Sequence, residues 1–186
     1  MEVFNIHKVL RSLLHDRISI SFDNLSDRMV NYGEGDLKEL VKFLSAKKQK
    51  YPILWLSSEF EHETPTRIGS KKRVSSSLTF FVITKGSAHD FYFKRYEGRY
   101  EFVVYPVISA FLELMENQRG VNVYDKSIKI ADYPYNHSNS FEGKKEKMTI
   151  NDIWDATKFT IELEFVVDCF RELNHCKKKN YRIWQK

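Results

Sequence analysis

The 186-residue sequence is poor in cysteine, proline and glycine, with two, four and seven of them, and it lacks any long apolar run. Cys169 and Cys176 are too few for a disulfide framework and suit a reducing cytoplasm. No stretch approaches the about 18 consecutive apolar residues that a spanning helix needs, so no membrane partner is expected. The opening "MEVFNIHKVLRSLL" is interrupted by His7, Lys8 and Arg11, which argues against an export signal. A GxxxxGK phosphate loop is absent, Gly33-Glu34-Gly35 lacks the third glycine of a dinucleotide loop, and the GxSxG nucleophile elbow does not occur. Nucleotide-dependent and serine-hydrolase chemistry are therefore unsupported, and no cofactor is expected.

What the chain does contain is apolar and aromatic material: 42% hydrophobic and 15% aromatic residues, enough for a real core. Its length suits one domain. Thirty Lys and Arg against 25 Asp and Glu leave a net charge of +5, a modest preference for anionic neighbours. The expected organisation is a single domain over residues 1–170 and a basic C-terminal arm over 171–186.

The periodicities give a sequence of elements. Val3, Ile6, Leu10, Leu13 and Leu14 repeat at threes and fours, the stripe of an amphipathic helix. "RISISF" alternates as a short strand, and "DNLSDRMVNYGEGD" reads as a loop with Gly33 and Gly35 in turns. Asp36 and Glu39 form a capping box for a helix carrying Leu37, Leu40, Val41 and Leu44. "YPILWLSSEF", a continuous apolar run centred on Trp55, predicts a strand covered on both sides. "VSSSLTFFVIT" is its antiparallel partner, and "EHETPTRIGSKKR" between them is a protruding hairpin arm or loop. Tyr96, Tyr100, Val103, Val107, Phe111, Leu114 and Met115 predict a helix over 91–117, kinked at Pro106, in preference to a strand followed by a helix. "GVNVY" and "SIKIADY" are short strands, and Pro134 to Lys147 is a long polar loop.

The last strand, "ATKFTIELEFVVDC", has one oily parity and one charged parity. Its charged residues Glu162, Glu164 and Asp168 face a passage, a neighbouring subunit or solvent. The fold class that follows is α+β: a mostly antiparallel sheet with helices packed on one face, a protruding hairpin arm and long loops.

Candidate chemistry is sparse. Glu59, Glu61, His62 and Glu63 would offer oxygen donors to a divalent cation, and a solvated loop explains them equally. Cys169, His175 and Cys176 lack a second ligand pair for zinc, so no metal site is expected. Glu142-Gly143-Lys144 with Asp132 resembles the ExK arrangement of Mg²⁺ nucleases, but it sits in a loop where those enzymes use a core strand. A nucleic-acid-processing or nucleic-acid-binding protein, using that triplet or the basic arm with Tyr181 and Trp184, is the alternative reading.

The element order resembles that of the tail-terminator, tail-completion and neck proteins of tailed bacteriophages, including ring proteins of the crAss-like group. The resemblance lies in the helix leading into "YPILWL", the strand pair flanking "TPTRIGSKKR", the helix containing "RYEFVVYPVISAFLELM" and the strand "ATKFTIELEFVV", over about Met1 to Phe170. It implies a non-enzymatic virion protein assembled in the host cytoplasm. Such a protein forms a homo-oligomeric ring at the head-to-tail junction or the head-proximal end of the tail. Its partners would be other neck, connector or tail-tube proteins, with DNA passing non-specifically through the centre. On this reading the interface residues are Arg67, Lys71, Lys72, Arg73, Tyr133, Tyr135, Phe141, Tyr181 and Trp184, and Glu162, Glu164 and Asp168 line the passage or an interface.

Overall fold

The computed structural model describes residues 4–22, 25–46, 51–58, 66–68, 71–87, 89–124, 128–137 and 153–170. Two long strands form the backbone of the fold: β6 (Lys71–Lys85) and β9 (Ile153–Val166). They pair antiparallel without a break, from Arg73 opposite Val166 to Lys85 opposite Trp154. At about 3.4 Å per residue this ribbon is about 40 Å long. Its β-branched and aromatic content favours such pairing, because those side chains pack well on a pleated surface.

The other strands build outward from this ribbon into a seven-stranded sheet. β4 (Ile53–Ser57) pairs antiparallel with Phe80–Ile83, and β3 (Asn31–Gly35) lies parallel to β4. β5 (Thr66–Ile68) folds back on Lys71–Arg73, so the sequence-predicted arm does contain a hairpin at the start of β6. On the far side of β9, β7 (Val121–Val123) and β8 (Lys129–His137) pair with its two halves. A separate two-stranded sheet joins β1 (Ser19–Phe22) to β2 (Leu25–Met29). The fold is thus a single α+β domain with a mostly antiparallel sheet.

One face of the sheet carries Leu54, Leu56, Leu78, Phe80, Val82, Phe159, Ile161, Leu163 and Phe165. It is covered by α1 (Ile6–Leu14) and by a continuous helix from Tyr92 to Glu116. Asn5 caps α1 by accepting from the Lys8 amide at 2.9 Å. The capping box of α2 (Leu37–Ala46) is complete: the Glu39 amide donates to Asp36 and the Asp36 amide to Glu39, both at 2.9 Å.

Four features depart from the sequence reading. The helices are not all on one face: α2 packs on the opposite side, where Leu40 and Leu44 meet Ile53, Trp55, Phe81, Ile83, Trp154 and Ala156. Those strand residues form a second apolar patch at one end of the ribbon, and it requires its own cover. The segment read as a loop after "RISISF" contains β2 and β3, because Gly33 serves close approach and not a turn. A Cβ there would overlap the Trp55 ring on the neighbouring strand. β8 runs through Pro134 to His137, so the polar loop begins later than expected.

The fourth departure concerns Pro106. The helix passes through it unbroken, but the preceding turns, Tyr96–Val104, are π-helical, and the Tyr105 amide bonds to the Tyr100 carbonyl. The helix is therefore three joined pieces: α3 (Tyr92–Arg95), the π segment and α4 (Tyr105–Glu116). Proline lacks the amide that α-helical pairing would use, and the wider register leading into it lets the helix continue.

Candidate functional site

The two ends of the β6–β9 ribbon are built differently. At the Lys85–Trp154 end, the chain turns at Gly86, whose amide bonds to Ile153, and enters α3. Asp155 is fully buried on the helix-covered face and accepts from Arg95 Nη1 at 2.7 Å, while Arg99 Nη1 lies 3.3 Å from its other oxygen. Arg95 also donates to the carbonyls of Asp90, at 2.9 Å, and Ser87, and Arg99 pairs with the Asp90 carboxylate. That hydrogen bond from Arg99 is the main cause holding the Asp90 carboxyl below its ordinary range. The cluster pins the first turn of the helix to the end of the sheet.

Around this pin the aromatic side chains divide. Tyr96, Tyr100 and Tyr105 pack together, with ring centroids 5.7 to 6.0 Å apart. Tyr105 donates to Asp132 of β8 at 2.7 Å, and Thr157 bonds the other oxygen of the same carboxylate. Burial first, then the hydrogen bonds to Tyr96 and Asp132, pushes the Tyr105 phenol up. Burial, followed by the nearby Asp155 charge, does the same to Tyr100. The other aromatics are more exposed: Tyr92, 65% exposed, stacks on Tyr96 at 6.4 Å, while Phe91 is 74% exposed, Phe93 57% and Phe102 48%. Phe102 also lines a shallow open groove with Asp90, Lys94, Glu97, Gly98 and Arg99.

The other end carries the β5–β6 hairpin. Arg73 donates to Glu164 at 2.7 Å and Asn122 of β7 donates to the same oxygen at 2.7 Å. Arg67 sits opposite Lys72 and Ile68 opposite Lys71 in the hairpin ladder. Burial and the Glu164 carboxylate raise the Tyr124 phenol beside this pair.

The charged parity of the last strand can now be placed residue by residue. Glu162 is exposed, opposite Ser77 on the sheet face that the long helix leaves uncovered. Glu164 is buried, its carboxylate engaged within its own chain by Arg73 and Asn122. Asp168 is exposed but lies past the strand, in the helical turn at 167–170, so the three acids do not form one surface. Lys158, on the same parity as Glu162 and Glu164, lies over the Phe81 ring at 5.7 Å.

Tyr133 is exposed on β8, opposite Ala156, and Tyr135 lies in the same strand. Phe141, Glu142, Lys144, Tyr181 and Trp184 lie outside the described residues, as do Glu59, Glu61, His62, Glu63, His175 and Cys176. Asp132, the third member of the ExK reading, is held by two hydroxyl donors on β8. Cys169 is half-buried; a Cβ on Gly120 would overlap it. Among the described residues no cluster of three or more His, Cys, Asp or Glu is placed to hold a metal ion. No described helix is long and apolar enough to cross a membrane.

The exposed Phe91, Tyr92, Phe93 and Phe102 were absent from the sequence-derived interface residues. A signal for them exists: three consecutive aromatics cannot all join a stripe spaced by threes and fours. Tyr92 continues the row of Tyr96 and Tyr100, and Phe91 and Phe93 on either side of it fall outside the buried stripe. No protein-family model matches the chain, and no curated protein matches it.

Proposed function

We propose that this chain is a structural, non-enzymatic ring subunit of a phage virion, a tail terminator or neck ring that joins head to tail and leaves a passage for DNA. The observation that carries the proposal is the outward group of four large aromatics on a helix end locked by a buried ion cluster. At about 200 Å² per aromatic side chain, the exposed fractions leave about 500 Å² of aromatic surface open to water, the size of the largest apolar patch on a typical monomer, which is often functional. Aromatics and arginine are also enriched at the centres of protein interfaces. The long β6–β9 ribbon supplies rigidity, which a repeated contact needs if a circle is to close at a fixed number of subunits.

The resemblance in element order supplies the biological setting, and the patch supplies the reason to assemble. Mass photometry and negative-stain microscopy of the purified full chain test the reading. Closed rings of uniform size are the expected result. A chain that stays monomeric across the concentration range, both alone and with purified tail tubes, overturns it.

A further inference from the structure

The carboxylates near the Lys85–Trp154 end of the ribbon are held in two ways. Asp155 and Asp90 are paired with Arg95 and Arg99, so guanidinium charge meets them within their own chain. Asp132, exposed on β8, accepts instead from two hydroxyls, those of Tyr105 at 2.7 Å and Thr157 at 2.5 Å. Neutral donors fix the direction of a carboxylate without cancelling its charge, and among the described residues no cation pairs with Asp132.

The same carboxylate borders an aromatic row. Tyr92, Tyr96 and Tyr100 recur every four residues along the helix and stack in order, with centroids 6.4 and 5.7 Å apart and planes inclined by 27° and 22°. The row runs from the buried Tyr100 through the half-buried Tyr96 to the exposed Tyr92. The Tyr105 ring stands edge-on to Tyr96, and its hydroxyl touches both the Tyr96 hydroxyl, at 3.1 Å, and Asp132. Aromatic faces carry negative potential, so the rings and the carboxylate act on a nearby charge with the same sign. The Asp132 charge does reach the row: after burial and the Asp155 charge, it is the next cause raising the Tyr100 phenol.

We infer that Tyr92, Tyr96 and Asp132 form a binding site for a guanidinium group. A planar cation extends a stacked row of rings, whereas a quaternary ammonium is better served by walls on several sides. Its N–H groups have an acceptor in Asp132, whose oxygens each keep lone-pair capacity beyond the one hydroxyl that they already accept. Tyr105 is a positioning residue that holds the carboxylate beside the row. The site does not depend on the ring reading. Its guanidinium comes either from an arginine of another copy of the chain or from a small free molecule.

The test titrates the full chain, with isotope-labelled tyrosine rings, with N-acetyl-arginine methylamide and follows the ring resonances by NMR. The citrulline counterpart, in which a neutral urea replaces the guanidinium, is the control. Saturable shifts centred on Tyr92 and Tyr96 are expected, with the citrulline compound about 10-fold weaker or more. Asp132→Asn keeps the shape and an acceptor but removes the charge, and weakens binding by about 10-fold. Tyr92→Ala, at an exposed position outside the core, weakens it by about 5-fold. Thermal melts verify that both variants fold.

The absence of saturable shifts overturns the inference, as does equal binding of the two compounds or undiminished binding by the folded variants. Sedimentation velocity separates the two sources. Wild-type assemblies that the arginine compound disperses, together with Asp132→Asn chains that do not assemble, assign the site to an arginine of another copy. Self-association unmoved by the compound assigns it to a free guanidinium ligand.

Discussion

The two ends of the β6–β9 ribbon each hold an arginine to a carboxylate at 2.7 Å, yet the pairs differ in their access to water. Arg95 and Asp155 have side chains 3% and 0% exposed, whereas Arg73 is 31% exposed against 5% for Glu164. In a dry pair, each charge depends on its partner because water cannot replace it, so loss of one member leaves an uncompensated ion. In a half-wet pair the arginine retains solvent as an alternative. The same bond length therefore fixes a helix at one end and only steadies a hairpin at the other.

The sharpest way to break the comparison is to remove the carboxylates one at a time. Asp155→Ala strands the buried Arg95 and leaves Arg99 with Asp90 alone, and a loss of about 3 to 5 kcal/mol is expected in denaturant unfolding. Glu164→Ala leaves Arg73, 31% exposed, able to turn to water but takes the acceptor from Asn122, so a smaller loss of about 1 to 3 kcal/mol is expected by the same measurement. Equal losses at the two sites would show that water access does not separate them.

A smaller effect is expected from acid. Asp90 titrates below its ordinary value in the folded chain because Arg99 hydrogen-bonds its carboxylate. A group whose folded pKa is depressed adds stability above its unfolded pKa and loses it as pH falls through the folded value. Thermal midpoints measured at descending pH should therefore fall below about pH 3.8. Asp90→Asn should flatten its share of that slope. An unchanged slope would remove Asp90 from the pin at the aromatic end.

The parts of the fold that were legible in the sequence were those with a strict local period or a reciprocal bond. The alternation in β9 as far as Val166, the stripe of α1 from Ile6 to Leu14 and the capping box at Asp36 and Glu39 stand in the structure as the spacing implies. Residues 167–170, read as the end of the strand, turn helical instead, and Val3 lies outside the described residues. What failed was inference from residue type without a partner in view. Gly33 looked like a turn because the Trp55 ring that needs the space is 22 residues away. The second helical face was hidden for a similar reason: "YPILWL" signals cover on both sides but does not say which element provides it. The exposed aromatics were concealed by their type, since aromatic content reads as core until the buried stripe is traced and found to exclude them.

The π segment between α3 and α4 has a consequence for how the chain tolerates change in length. One residue in an α-helix corresponds to about 100° of rotation, so the wide turns over Tyr96–Val104 set the phase between two faces of one rod. C-terminal to it, Val107, Phe111 and Met115 are fixed by the core. N-terminal to it, Phe91, Tyr92 and Phe93 are turned outward. A single-codon deletion in this segment is absorbed as the wide register tightens to the α register, whereas one in α4 would swing the aromatic end around its axis by about a quarter turn. These nine residues thus act as slack that can give up a residue without turning one end of the helix against the other.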